Sequence, residues 1–173
     1  MEEIRLSHID NSGRPKIVDI SLKKETERRA VAECKIMMKK ETQNLIKEGK
    51  TKKGEVLSVA VLGGIMGAKK TSELILLSHP LNIEGVDIKF FFEDDGIRIK
   101  AETWLYGKTG PEMEALTSCA LSALNIYDMC KGVDKEMVIS DIRLVSKKGG
   151  KTEIKARQNG RRRKLEESPD TKG

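Results

Sequence analysis

No apolar run in this 173-residue chain approaches the roughly 20 residues that a helical membrane span requires. Its first residues, MEEIRLSHID, lack the basic-then-apolar order of a secretory signal. Cysteine is scarce and odd in number: Cys34, Cys119 and Cys130 lie far apart, and two of them fall in apolar patterns. That spacing excludes a disulfide framework or a paired-cysteine metal motif, and it predicts buried thiols in a reducing cytoplasm. Glycine-rich loops of Walker or dinucleotide spacing are absent, as is any Ser/His/Asp motif context. The only histidines are His8, in an irregular arm, and His79. A metal site would need partners that the sequence around them does not supply. No internal repeat is present.

One absence concerns charge. The chain carries 33 Lys/Arg and 27 Asp/Glu, a net charge of +6, but ten of those cations and only four of the acids lie in residues 147–173. The tail holds the whole excess, and residues 1–146 balance at 23 of each sign. The body therefore has no general field for nucleic acid. With 35% charged and 38% hydrophobic residues, the chain has the material for one globular domain.

What is there centres on Lys108 to Lys131, KTGPEMEALTSCALSALNIYDMCK. Thr109 and Gly110 suit a helix cap, Pro111 a first helical position and Gly132 the residue past the end. Met113, Leu116, Ala120, Leu124 and Tyr127 form one apolar stripe, and the smaller Ala115, Cys119, Ser122 and Ile126 form a second. No charge lies between Ala115 and Tyr127, so the helix is expected to be buried on two faces. One face suits the chain's own sheet, and the small-residue face suits another helix or subunit. Glu112 and Glu114 in the first turn complement the helix dipole. Asp128 opposes the dipole at the other end, so it is either offset by Lys131 or kept for chemistry. At roughly 1.5 Å per residue, Glu114 and Asp128 stand about 21 Å apart. One copy of the helix cannot bring both to one small ligand, so they serve separate sites or a pocket completed by a second subunit.

The remaining pattern is coarse but readable. Residues 1–23 are irregular, with a turn at Asp10 to Gly13. Arg28 to Met38 alternates as a strand, although its composition also permits helix. Lys40 to Glu48 is a short helix stopped by Gly49, and Gly54 to Lys70 is a longer one. Gly63, Gly64 and Gly67 in that longer helix are tolerable where another backbone approaches closely. Lys50, Lys52 and Lys53 at its start make an anion site plausible beside the simpler reading of a solvated basic turn. Thr71 to Leu77 is helix or turn, and Ser78-His79-Pro80 is extended. Val86 to Glu93 and Ile97 to Leu105 alternate around an Asp94-Asp95-Gly96 turn as a hairpin. Met137 to Ser146 is a last strand, Lys147 to Lys151 is a flexible glycine-containing turn, and the remainder lacks periodicity and is expected to be disordered. The order implies an α+β domain, a mainly antiparallel sheet with helices on one face, of ferredoxin-like topology.

Two long segments carry a resemblance. KGEVLSVAVLGGIMGAKKTSELILLSHPL from Lys53 and GKTGPEMEALTSCALSALNIYDMCK from Gly107 closely resemble the MoaC family. So do IVDIS at Ile17 to Ser21, the Thr26/Arg28 pair and KKGGK at Lys147 to Lys151. The resemblance spans roughly residues 17–151, leaving 1–16 as an arm and 152–173 as a basic tail. It implies conversion of 3′,8-cyclo-7,8-dihydro-GTP, the product of a radical-SAM partner enzyme, to cyclic pyranopterin monophosphate and pyrophosphate. It also implies a cytoplasmic homohexamer of three dimers with pockets at the dimer interface, and no metal or organic cofactor.

Carried over by position, the resemblance makes Asp128, Lys53 and Lys131 the catalytic residues. Leu77, Ser78 and His79, with Glu112, Met113 and Glu114, become substrate-binding residues. Arg28 and Lys147 become basic groups reaching in from a neighbouring subunit. The family's usual cysteine is Ser78 here, and its usual proline two positions earlier is Leu76, so thiol chemistry is not required if the chain is active. The competing reading is an inactive oligomeric binding protein, or an RNA binder working through the basic tail.

Overall fold

The computed structural model describes residues 7–51, 53–150 and 153–155. The strand expected first is β1, Thr26–Met37. It pairs antiparallel with β3, Gly96–Gly107, on one side and with β4, Val138–Lys148, on the other. The hairpin partner β2, Gly85–Glu93, lies outside β3, giving the order β2-β3-β1-β4. Helices α1 (Lys40–Lys47), α2 (Val56–Lys69), α3 (Thr71–Leu74) and α4 (Glu112–Cys130) complete an α+β, ferredoxin-like fold.

The alternating patterns determine which face of the sheet is covered. Ala30, Ala32, Cys34 and Ile36 on β1 lie opposite Thr103, Ala101, Ile99 and Ile97 on β3, and all eight are buried. Their other neighbours are charged: Glu33, Lys35, Glu93 and Arg98 pair with one another on the open face. A one-residue slip would exchange the two sets, so burial holds the register. Small side chains on β1 and β3 let α4 settle close to the sheet, with Ala115, Cys119, Ala123, Ile126 and Cys130 in the same core. Cys34, Cys119 and Cys130 are free and buried.

The small-residue stripe of α4 thus packs on the chain's own sheet and on α2. The expected contact with another helix is met at Ser122, where the glycines of α2 allow it, whereas Ala115, Cys119 and Ile126 lie in the sheet's core, a second contact the stripe was not expected to make. A Cβ on Gly64 would sit 2.2 Å from Ser122 Oγ and 3.0 Å from Ser118 O. The missing side chain lets α2 lie against α4, and Ser122 Oγ donates to Ala60 O at 3.0 Å across the seam. The larger stripe is left partly open, with Leu124 51% exposed beside the charge-free middle of the helix.

Two further expectations differ. Pro111 is the N-cap rather than the first helical residue, and no side chain caps α4. Thr103 Oγ1, from the buried face of β3, instead anchors that end by donating to Pro111 O at 3.0 Å. Gly132 does follow the cap residue Lys131 as expected, with a φ that is not positive, and the helix closes through Val133 N and Asp134 N, both donating to Cys130 O. Within the tail, Ile154–Lys155 forms a short strand, β5, on β4. Its pairing with Ser146 and Lys147 supplies hydrogen bonds that side-chain periodicity cannot signal. Met1 to Leu6, Lys52, Lys151, Thr152 and 156–173 lie outside the described residues.

Candidate active site

Asp128 sits on the last turn of α4, where the helix leaves carbonyls unbonded and a carboxylate is unfavourable. Two lysines reverse the local sign. Lys131 Nζ lies 2.7 Å from Asp128 Oδ1 and Lys53 Nζ lies 3.3 Å from Oδ2. Lys53 Nζ also donates to Asp128 O at 2.8 Å, capping the helix end with a cation. Lys53 comes from the Thr51–Gly54 turn, where Gly54 takes a φ of 93° and directs the chain into α2. Hydrogen bonding by Lys131, then by Lys53, holds the Asp128 carboxyl below its ordinary range. Asp128 in turn raises the Lys131 ammonium above its ordinary value. All three side chains remain about half exposed, so the cluster is charged and open to a ligand. The wider basic turn is reduced, because Lys50 pairs with Glu48 at 2.8 Å.

A second group gathers at the other end of α4, where Glu112 precedes Asp128 by 16 residues, about 24 Å at the helical rise. Leu77, Ser78, His79, Glu112 and Met113 line a cavity of about 400 Å³. His79 Nε2 is 2.8 Å from Val18 O, so that nitrogen carries the hydrogen and Nδ1 is left for a ligand. Glu112 accepts from Lys147 Nζ at 3.0 Å. Arg28 donates from Nε to Gly107 O at 3.2 Å and from Nη2 to Lys108 O at 3.3 Å, holding the loop before α4. Thr26 Oγ1 donates to Gly149 O at 2.9 Å. Gly149, with a φ of 89°, lies where a Cβ would meet Glu27 O. The Thr26/Arg28 pair and the glycine turn after Lys148 are therefore one corner of the sheet.

Glu114 departs from its expected neighbours. It is 2% exposed and does not line the cavity, and its Oε2 has no hydrogen-bond partner among the described residues. Burial, then the adjacent Glu112 charge, pushes its pKa up to about 7. Near neutral pH this buried carboxyl is therefore partly protonated.

Sequence reasoning passed over three residues. His8 and Lys23 reach the cavity from the irregular arm, which hydrogen bonds from His79 to Val18 O and from Lys108 to Ser21 O hold in place. Asp134, 1% exposed, accepts from Lys39 N at 2.9 Å and Thr42 Oγ1 at 3.0 Å through Oδ2 and from Glu136 N at 3.1 Å through Oδ1. Burial would raise its pKa, but those bonds hold it below the ordinary value. It ties α1 to the segment after α4, and its position just after the Gly132 turn is the one signal in the sequence that marks it.

The fold and these clusters define a class: a ferredoxin-like α+β enzyme presenting lysines, histidine and carboxylates, equipment for acid–base work on an anionic small molecule. The chain belongs to the MoaC family, whose model matches residues 17–150. It is 54% identical over 154 residues to the cyclic pyranopterin monophosphate synthase of Clostridium acetobutylicum, covering 88% of this chain and 95% of that protein. It is 52% identical to the synthase of the same name from Peptoclostridium acidaminophilum, over 86% of this chain and 95% of that one. A third such synthase, from Thermoanaerobacter sp., is 52% identical over 90% of this chain and 99% of its own length.

Proposed function

We propose that this chain is a pyrophosphate-releasing lyase of molybdenum cofactor biosynthesis. Its substrate is 3′,8-cyclo-7,8-dihydro-GTP, supplied by a radical-SAM GTP cyclase, and its product is cyclic pyranopterin monophosphate. The observation that carries this reading is the Lys53–Asp128–Lys131 cluster, with contacts of 2.7 and 3.3 Å on one carboxylate. Making a cyclic monophosphate from a triphosphate requires an oxygen to attack the α-phosphorus while pyrophosphate leaves. Two ammonium groups at one point can stabilise the charge that develops, and ring rearrangement needs a proton donor within reach. Asp128 keeps Lys131 protonated and aimed, so Lys131 acts first as cation and acid. Lys53 is the second cation.

The substrate-binding half, with His79, Glu112, Met113, Arg28 and Lys147, lies at the far end of α4. A complete pocket then needs two copies, the lysine–aspartate end of one meeting the His79 end of another. Glu114 stands behind this half as a buried acid. Leu62, Met66 and Leu124, 67%, 54% and 51% exposed, give the α2/α4 layer an apolar surface suited to that contact. We assign the assembly as a hexamer of three dimers. The three buried free thiols fit a cytoplasmic protein. Among the described residues, no helix is long and apolar enough to cross a membrane.

The deciding experiment supplies the cyclised nucleotide and follows pyrophosphate release together with formation of the cyclic monophosphate. Turnover is expected without an added cofactor. An intact oligomer that releases no pyrophosphate overturns the assignment.

A further inference from the structure

The cavity beside His79 has a second wall, built from the N-terminal arm, and His8 and Lys23 stand in it. The arm is tied down rather than draped. His79 Nε2 donates to Val18 O at 2.8 Å, and Lys108 Nζ donates to Ser21 O at 3.0 Å. Between these anchors, Asp19 Oδ1 accepts from Ser21 N at 2.8 Å and Lys23 N donates to Ile20 O at 3.1 Å. The backbone therefore turns, and the turn delivers Lys23 to the cavity. Farther back, Asp10 Oδ1 accepts from Ser12 N and Arg14 N, at 2.8 and 2.9 Å, closing a small loop. Lys16 N donates to His8 O at 2.8 Å, which returns His8 to the same wall.

Charge makes this wall more than a cover. The cavity's carboxylate, Glu112, is already engaged by Lys147 at 3.0 Å. Among the described residues, Lys23 forms no ion pair. A lysine and an imidazole therefore line, together with His79, a cavity of about 400 Å³, room for a nucleotide-sized ligand. A lysine ammonium recognises phosphate oxygens as a point charge and hydrogen-bond donor, and an imidazole N–H beside it adds a second donor.

We propose that His8 and Lys23 are substrate-binding residues, and that the arm is the cationic wall holding the phosphate-bearing part of the nucleotide. The assignment rests on the nucleotide-lyase function proposed for the chain. It adds two residues from a segment that carries none of the assigned roles.

The test compares the full chain with Lys23→Gln, His8→Gln, Lys23→Arg and Lys24→Gln. Lys24 is exposed and outside the cavity lining. Two quantities are read: KM and kcat for the cyclised nucleotide, and the calorimetric Kd of GTP as an unreactive probe. Lys23→Gln and His8→Gln are each expected to raise KM and Kd about tenfold, the scale of one charge-assisted contact, with kcat little changed. Lys23→Arg recovers most of the loss, and Lys24→Gln matches the parent. Unaltered KM and Kd in Lys23→Gln and His8→Gln, with an active parent, overturn the arm assignment and leave the lyase function standing. An equal loss in Lys24→Gln overturns it too, by reducing the effect to general charge. A parent that releases no pyrophosphate but binds GTP through His8 and Lys23 overturns the function and supports the arm. A parent that does neither overturns both.

Discussion

Glu114 offers the sharpest physical test, because its carboxyl is 2% exposed and Oε2 is unpartnered among the described residues. Replacing it by glutamine keeps the shape and removes the titration. The carboxyl has an ordinary pKa of 4.5 and reaches about 7 in the folded chain. Between those values the native state binds more protons than the unfolded state, so stability falls as pH rises. Stability is fully present below pH 4.5, is lost progressively as pH rises towards 7, and the loss levels off above it. A difference of 2.5 in pKa corresponds to about 3 kcal/mol in all. The Glu114→Gln protein is therefore expected to gain about 2–3 kcal/mol over the parent between pH 5 and pH 8. Denaturant unfolding at several pH values and fixed protein concentration measures that difference, and contributions from other titrating groups cancel in it. A difference that stays flat with pH, or one that favours the parent as pH rises, refutes the buried-acid reading.

Further outcomes follow from the same geometry. Asp128→Asn and Lys53→Ala are each expected to lower turnover by about 10²–10⁴, the scale of a lost acid–base group, with the oligomer intact by light scattering. Near-normal turnover in both discards the cluster as the catalytic centre. Gly64→Ala places a Cβ 2.2 Å from Ser122 Oγ and 2.4 Å from Ile88 Cδ1, and should destabilise by about 1–3 kcal/mol in denaturant unfolding despite a better helix propensity. Gly63→Ala should cost less, because its new Cβ meets the end of the Asn125 side chain, which can move. Asp134→Ala strands Lys39 N, Glu136 N and Thr42 Oγ1, and should cost about 1–3 kcal/mol by the same measurement.

Much of the fold was legible because it is written in local periodicities. The alternation through Ala30, Ala32, Cys34 and Ile36 marks a half-buried strand wherever it pairs, and the Asp94-Asp95-Gly96 turn marks the β2–β3 hairpin without help from distant residues. The α4 stripes, the end positions of Glu112 and Asp128, and the separation they impose follow from helical rise alone. The two long motifs carried the family, and with it Lys53, His79 and Lys131, because both are contiguous in the chain.

Packing settled the rest. Periodicity reports that α4 has two apolar faces, but not which of them lies on the sheet. That depends on whether Gly64 allows α2 to reach Ser118 and Ser122. The neutral-acid character of Glu114 comes from the depth at which the first turn of α4 is buried, which no neighbour in sequence encodes. His8, Lys23 and Asp134 owe their positions to hydrogen bonds between segments far apart in the chain. Side-chain patterns report contacts that repeat along an element, whereas a single long-range bond repeats nothing and becomes visible only once the chain has closed.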